Sequence, residues 1–346
     1  MRLLLYILSL IFHIITSIKN YLFDYKIITS QSYKTPIICI GNLSLGGTGK
    51  TPHTDYIISL LKSKYNIAVL SRGYGRKTQG MKYVNTHDKA EEVGDESLFY
   101  KKKYNQIVVA VERNRNKGVR KILKDFPNTD VILLDDGFQN RWINPGLKIL
   151  LTPYSKPYYK NHLLPLGRLR EHYSNSNRAD IIIVTKSPNT INPTIKKDIT
   201  NKLNILPYQD LFFSEINYLD IKHMISLEKL LNYKDYGIIL ITGVADSSLI
   251  TKNLKEINKN ITHLEYKDHY NYTVDDIDNI LNAYNKNKHR KKLILTTEKD
   301  AVKLINFKGK FEGVNIYVLP IKIVFKEQTN FEKKILNYVA ENTRNN

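Results

Sequence analysis

Ile38-Cys39-Ile40-Gly41-Asn42-Leu43-Ser44-Leu45-Gly46-Gly47-Thr48-Gly49-Lys50-Thr51-Pro52 carries an apolar, β-branched run into a glycine-rich turn, and Gly49-Lys50-Thr51 opens a helix. This strand–turn–helix is the layout of a phosphate-binding loop (P-loop). Backbone N–H groups of such a loop point at phosphate oxygens, and the dipole of the helix adds partial positive charge there. Ser44, Leu45, Gly46, Gly47, Thr48, Gly49, Lys50 and Thr51 form the cradle. Lys50 is spaced to reach the β- and γ-phosphates of a nucleoside triphosphate, and the Thr51 hydroxyl to sit on Mg²⁺. The common pattern has a glycine five positions before Gly49, where this chain has Ser44. The bland alternative is a glycine-rich strand–helix turn that holds no nucleotide.

The chain has 346 residues, enough for two domains with a large core. Its 53 Lys and Arg against 33 Asp and Glu give a net charge of +20, a surplus that suits a polyanionic partner. That partner could be a nucleic acid, an anionic membrane face or a phosphorylated substrate; a Lys- and Asn-rich composition without functional meaning gives the same number. No Cys/His finger and no RNA-binding aromatic signature supports nucleic acid. The single cysteine, Cys39, makes neither a disulfide framework nor a metal cluster and reads as a small core residue.

Leu3 to Ile18 is strongly apolar, flanked by Arg2 and Lys19, and short for a transmembrane helix. Arg2, Tyr6, Ser9, His13, Thr16 and Asn20 recur at alternating steps of four and three, which lines them up as one polar stripe on a helix. A helix lying in a membrane interface uses such a stripe. An export signal and an ordinary packed helix are the alternatives, the former lacking a small-residue cleavage site after Ser17.

Downstream of the loop, β-branched strands alternate with helices: Ile67–Leu70, Ile107–Val111, Val131–Leu134, Leu147–Leu151 and Ile181–Thr185, with helices at Thr54–Lys64, Asp95–Lys103 and Asn116–Asp125. Near-continuous apolar strands of this kind predict a parallel sheet covered on both faces, with ligands beyond the strands' carboxyl ends. A smaller α/β block spans 225–315. The expected organisation is a membrane-interface helix at 1–23, a nucleotide-binding domain at 24–209, a linker strand at 210–224, the smaller domain at 225–315, and a return strand with a C-terminal helix at 316–346. The two linker segments are expected to pair and act as a hinge, and Glu341 to Asn346 to fray.

The sites of chemistry lie at strand ends. Asp135-Asp136 closes an apolar strand where a carboxylate for Mg²⁺ belongs in such folds; a strand-ending turn would use the same residues. Asp95 and Glu96 fall at a helix start, where acidic residues are also merely favoured. His269, preceded by Asp268, is an oriented acid/base candidate or a structural histidine. Arg72 and Arg76, Arg113 and Arg115, and Arg168 and Arg170 supply forked guanidinium groups suited to phosphate.

Taken in order, Gly41–Pro52, Ser71-Arg72-Gly73-Tyr74-Gly75-Arg76, Val93-Gly94-Asp95-Glu96, Leu134-Asp135-Asp136-Gly137-Phe138-Gln139, Pro165-Leu166-Gly167-Arg168-Leu169-Arg170-Glu171, Asp268-His269-Tyr270 and Thr296-Thr297-Glu298-Lys299-Asp300-Ala301-Val302-Lys303 resemble the tetraacyldisaccharide 4′-kinase family of lipid A biosynthesis. The resemblance runs from residue 1 to about 303. It departs at Asn140, where the family usually has His, and at Arg168, where a small residue is usual. The resemblance implies transfer of the ATP γ-phosphate to the 4′-hydroxyl of a tetraacylated glucosamine disaccharide 1-phosphate, at the cytoplasmic face of the bacterial inner membrane. It implies two α/β domains joined by a β linker. It makes Asp95 the catalytic base supported by His269, Lys50 a phosphate ligand, Thr51, Glu96 and Asp135 or Asp136 the Mg²⁺ residues, and Arg72, Gln139 and Arg170 substrate contacts. The competing classes are a P-loop switch or metal-chaperone NTPase acting through protein partners, which Thr297-Glu298-Lys299-Asp300 imitates, and a basic nucleic-acid-binding ATPase.

Overall fold

The computed structural model describes residues 2–344. Eight strands run from the N-terminal side: β1 Ile37–Asn42, β2 Ile67–Ser71, β3 Lys82–Tyr83, β4 Val108–Val111, β5 Val131–Asp135, β6 Leu147–Pro153, β7 Ile181–Thr185 and β8 Asp210–Tyr218. Six more, β9 Ile221–His223, β10 Lys229–Leu230, β11 Gly237–Thr242, β12 Ile261–Glu265, β13 Lys292–Thr297 and β14 Ile316–Leu319, form the smaller sheet; β15 Ile321–Phe325 returns to the larger. The helices are α1 Arg2–Asp24, α2 Lys50–Leu61, α3 Ala90–Val93, α4 Asp95–Lys103, α5 Arg115–Asp125, α6 Pro193–Leu203, α7 Ser248–Ile257, α8 Val274–Lys286, α9 Glu298–Leu304 and α10 Gln328–Arg344.

The larger sheet has the order β15-β8-β7-β6-β1-β5-β2-β4-β3 and is parallel except at the antiparallel pairs β3–β4 and β15–β8. Alternation along β1 shows why both faces are apolar. Ile38 and Ile40 join the core beneath α2, α4 and α10, whereas Ile37 and Cys39 join the core under α5. β1 lies between β5 and β6, so the loop it feeds emerges beside the carboxylates that end β5.

The two segments expected as a linker pair in antiparallel register, Ile321 opposite Tyr218 and Phe325 opposite Ser214. They are not a free ribbon. β8 also pairs with β7, so both belong to the edge of the larger sheet. Ile221–His223 and Ile316–Leu319, assigned to the linker by sequence, lie in the smaller sheet, whose order is β10-β9-β14-β13-β11-β12. The chain passes from the larger sheet to the smaller at Leu219–Asp220 and returns at Pro320.

α1 extends past the Leu3–Ile18 run to 23 residues and is long and apolar enough to cross a membrane by length and composition. Three residues of its polar stripe, Ser9, His13 and Asn20, turn inward, whereas Arg2 and Tyr6 at its start are exposed. The Ser9 hydroxyl donates to the Leu163 carbonyl at 3.1 Å, His13 lies 5.1 Å from the His172 ring, and the Asn20 amide donates to Glu171 and Asn175, both at 3.2 Å. The opposite side, Leu4, Ile11, Ile15 and Ile18 among others, is exposed. The C-terminus is helical to Arg344, not frayed from Glu341; Asn345 and Asn346 lie outside the described residues.

Candidate active site

The P-loop is shaped by Asn42, whose amide donates to the Ser44 carbonyl and to the Thr48 hydroxyl, both at 2.7 Å. Gly49 precedes α2 with φ 91°, a left-handed conformation that a side chain would strain. Thr185 at the end of β7 donates to the Thr48 carbonyl at 2.8 Å, tying the loop to the sheet. Lys50 reaches back to the Asn42 side-chain oxygen at 3.5 Å and to Asp136 at 3.8 Å. Facing the loop, an open cleft is lined by residues 46–52 and Asp55 on one side and by residues 244–246, Asp268, His269 and residues 297–299 on the other. One wall is apolar, built from Ile216 and Tyr218 of β8, Leu249 and Ile250 of α7, Leu319 and Ile321, and suits a planar base.

Asp135 and Asp136 close β5 with different partners. Asp135 is buried and accepts from the Tyr100 hydroxyl at 3.1 Å and Thr54 at 3.3 Å. Burial, with Glu96 and Asp136 adding like charge, pushes its carboxyl up to about 7. Asp136, at φ 50°, is gripped by both terminal nitrogens of Arg170 at 2.9 and 3.1 Å. Burial opposes its ionisation, but Lys50 and Arg170 prevail and hold it down to about 2. Arg170 also donates to the Asn42 carbonyl at 2.9 Å and contacts the Asn42 side-chain oxygen.

The Thr51 hydroxyl donates to Glu96 at 2.7 Å. Thr51, Glu96 and Asp135 are therefore the residues that could hold Mg²⁺: one hydroxyl and two carboxylates whose mutual repulsion a cation relieves. Among the described residues no group of three or more His, Cys, Asp or Glu is arranged as a metal site. Mg²⁺ does not require one, because it keeps waters and takes its remaining oxygens from phosphate. Asp136 is committed to Arg170 and Lys50 in this conformation.

Asp95 opens α4, is 5% exposed, and meets His269 of the smaller domain across the cleft, with Nδ1 at 2.8 and 3.0 Å from its two oxygens. Burial would raise its pKa. Lys299 at 3.7 Å, the His269 hydrogen bond and Lys303 at 3.5 Å overcome that and hold it well below the usual carboxylate range. Burial pulls the His269 pKa down, but Asp95 outweighs it and the net shift is upward. Since Nδ1 donates to Asp95, Nε2 of the neutral ring accepts from Lys299 at 3.2 Å. His269 sits at φ 58°, with the Tyr74 ring 4.8 Å away.

Lys299 and Lys303 carried no role in the sequence reading. They stand four apart on α9, on one face, and that spacing within Thr296–Lys303 was the signal available. Asp300 between them is buried and accepts from the Gly243 N–H at 2.9 Å and the Thr297 hydroxyl at 2.8 Å, so the segment that imitates a guanine-reading motif is used inside the fold.

The remaining sequence candidates are dispersed. Gln139 donates to the Asn42 carbonyl at 2.7 Å and to Glu171 at 3.0 Å, beneath the loop, and its buried Oε1 has no partner. Arg72 is exposed at the end of β2, whereas Arg76 is buried and donates to the Val111 and Gly80 carbonyls. Arg168 is exposed, its guanidinium over Gly46.

The model of the family described as tetraacyldisaccharide-1-P 4′-kinase (LpxK) matches residues 1–340. The chain belongs to this family. A tetraacyldisaccharide 4′-kinase of Bacteroides thetaiotaomicron is 41% identical over 99% of this chain and 94% of its own length. That of Flavobacterium johnsoniae is 39% identical over 99% and 98%. A crystal structure of LpxK from Aquifex aeolicus in complex with ATP superposes with a TM-score of 0.75 at 26% identity, covering 98% of this chain and 99% of that one. As an LpxK-family chain it shares this mixed α/β architecture from α1 through the smaller domain.

Proposed function

We propose that this chain is a lipid kinase that transfers the γ-phosphate of ATP to the 4′-hydroxyl of a tetraacyldisaccharide 1-phosphate, a step of lipid A biosynthesis. The observation that carries the reading is the P-loop facing the Asp95–His269 pair across one cleft, in a chain that matches the kinase family over residues 1–340. Lys50 and the backbone N–H groups of Ser44–Thr51 hold the phosphates. Asp95 accepts the hydrogen bond of the attacking hydroxyl and takes its proton, with His269 fixing the carboxylate and stabilising its charge. Such a depressed carboxyl is a weak base, which the loose transition state of phosphoryl transfer tolerates because little proton removal is needed early. Asp95 then acts mainly by orientation. Thr51, Glu96 and Asp135 would hold Mg²⁺, which when bound neutralises phosphate charge. Arg72, Gln139 and Arg170 are the substrate contacts in this reading, Arg170 also setting the position of Asp136.

The substrate's acyl chains stay in a bilayer, so the exposed apolar side of α1 lies in the membrane at its cytoplasmic face, where ATP is found. The +20 charge favours an anionic surface. The test is phosphate transfer from ATP to detergent-solubilised tetraacyldisaccharide 1-phosphate, with Asp95→Ala alongside. A bisphosphorylated lipid is expected, with turnover reduced about 100-fold or more in the variant. Absence of product with the wild type overturns the activity; undiminished turnover in Asp95→Ala overturns the role of Asp95.

A further inference from the structure

β7 is buried throughout and ends at Thr185, the residue bonded to the P-loop. The next residue, Lys186, has φ 56°. A lysine gains nothing from left-handed backbone, and such strain persists where the surroundings demand one side-chain position. Here the turn throws Nζ over the P-loop, 3.7 Å from the point where a Cβ on Gly47 would stand. The side chain is 12% exposed, and burial lowers its pKa.

Its acidic partner is Asp246 of the smaller domain, and the pair is loose at 3.9 Å. Asp246 is already engaged, accepting from the Ser248 N–H at 3.1 Å and the Ser248 hydroxyl at 2.6 Å at the start of α7. The same turn brings Ala245 and the Asp246 N–H to 3.2 and 3.8 Å from the Gly47 point. Lys50 shows a matching arrangement, its Nζ 3.8 Å from Asp136 and 3.5 Å from the Asn42 side-chain oxygen. Two lysines thus flank the cradle, each on a distant carboxylate from which a phosphate oxygen could take it.

We propose that Lys186 is a second phosphate-binding cation of the nucleotide site, and that Asp246 is an anionic placeholder which the nucleotide's phosphates displace. The inference rests on the ATP-dependent reading above. It makes nucleotide binding compete with a contact between the domains, so the Asp246 turn is released from Lys186 when the cradle fills. The chemistry recognised is the polyphosphate, not the base.

Nucleotide affinity of the full chain separates this from a simple clamp. Lys186→Met is expected to weaken ATP and ADP by about 10-fold or more, the loss of one charge-assisted hydrogen bond. Adenosine binding should stay unchanged, and Lys186→Arg should restore most of the ATP affinity. Asp246→Asn is expected to act in the opposite direction, tightening ATP by up to about 5-fold, and to lose that effect when combined with Lys186→Met. Weakening by both variants would show a domain clamp and overturn the proposal. So would unchanged affinity in both, or equal weakening of adenosine. Failure of the wild type to bind ATP would overturn the kinase reading instead.

Discussion

His53, on the first turns of α2, is buried beneath the P-loop and joins it to the sheet edge. Its Nδ1–H donates to the Gly49 carbonyl at 2.7 Å, and Nε2 accepts from the Ser214 hydroxyl at 2.8 Å. Burial favours the neutral ring and pulls its pKa down to about 4. In the unfolded chain the value returns to about 6.5. Below that pH the unfolded state takes up a proton that the folded state refuses, so this stabilisation is complete above pH 6.5 and lost as pH falls toward 4. The linkage amounts to about 3 kcal/mol. Urea unfolding from pH 7 to 4.5 should show the loss in the wild type and a shallower one in His53→Gln; parallel curves would refute the assignment. His269 contributes with the opposite sign, since its raised pKa stabilises at low pH and is lost as pH rises through the folded value.

At the scale of elements, β1 and α1 are held by close, specific contacts. Gly41 lies against the backbone of Phe138, where a Cβ would come within 2.6 Å of the Phe138 Cβ and 2.9 Å of its nitrogen. Gly41→Ala should cost about 1–3 kcal/mol by thermal or denaturant unfolding. α1 inverts the usual pattern: Ser9, His13 and Asn20 of its polar stripe meet the protein, and its apolar side is exposed. Asn20→Leu strips hydrogen bonds from buried Glu171 and from Asn175 and should destabilise by about 1–3 kcal/mol. Replacing Leu4, Ile11 and Ile15 with Ser touches only the exposed side and should leave stability unchanged while reducing co-sedimentation with vesicles. Undiminished co-sedimentation would remove α1 as the anchor.

Over the whole molecule, the proposed membrane binding draws on both the +20 charge and the apolar side of α1. Screening lengths shrink from about 10 Å at 0.1 M salt to about 3 Å at 1 M. Binding to anionic vesicles should weaken over that range without vanishing, because the apolar side of α1 is insensitive to salt. Complete release by salt would make the interaction purely electrostatic. The domains meet through α9, whose Lys299 lies 3.7 Å from Asp95 and 3.8 Å from Glu96 of the larger domain. Lys299→Met should lower kcat more than it raises the KM for ATP, since the residue faces the Asp95–His269 pair rather than the loop.

The chain announces its local chemistry. Gly49-Lys50-Thr51 after an apolar strand, carboxylates at the end of β5 and acidic residues opening α4 are legible because strand period, turn residues and helix starts are local properties of the backbone. The helix Asp95–Lys103 and the strand Ile181–Thr185 could be read to the residue. The strand pair at 210–218 and 321–325 was visible as extended sequence, but its place on the edge of the larger sheet was not, because pairing between distant segments is settled by what each can bury. The same holds for α1, whose polar stripe was plain in sequence while its inward direction depends on Leu163, Glu171 and Asn175. Asp95 and His269 stand 174 positions apart. Residue type made His269 a candidate and the family resemblance gave Asp95 its role; only the folded chain brings them together across the cleft, ionises the carboxylate between lysines, and turns separate side chains into a site.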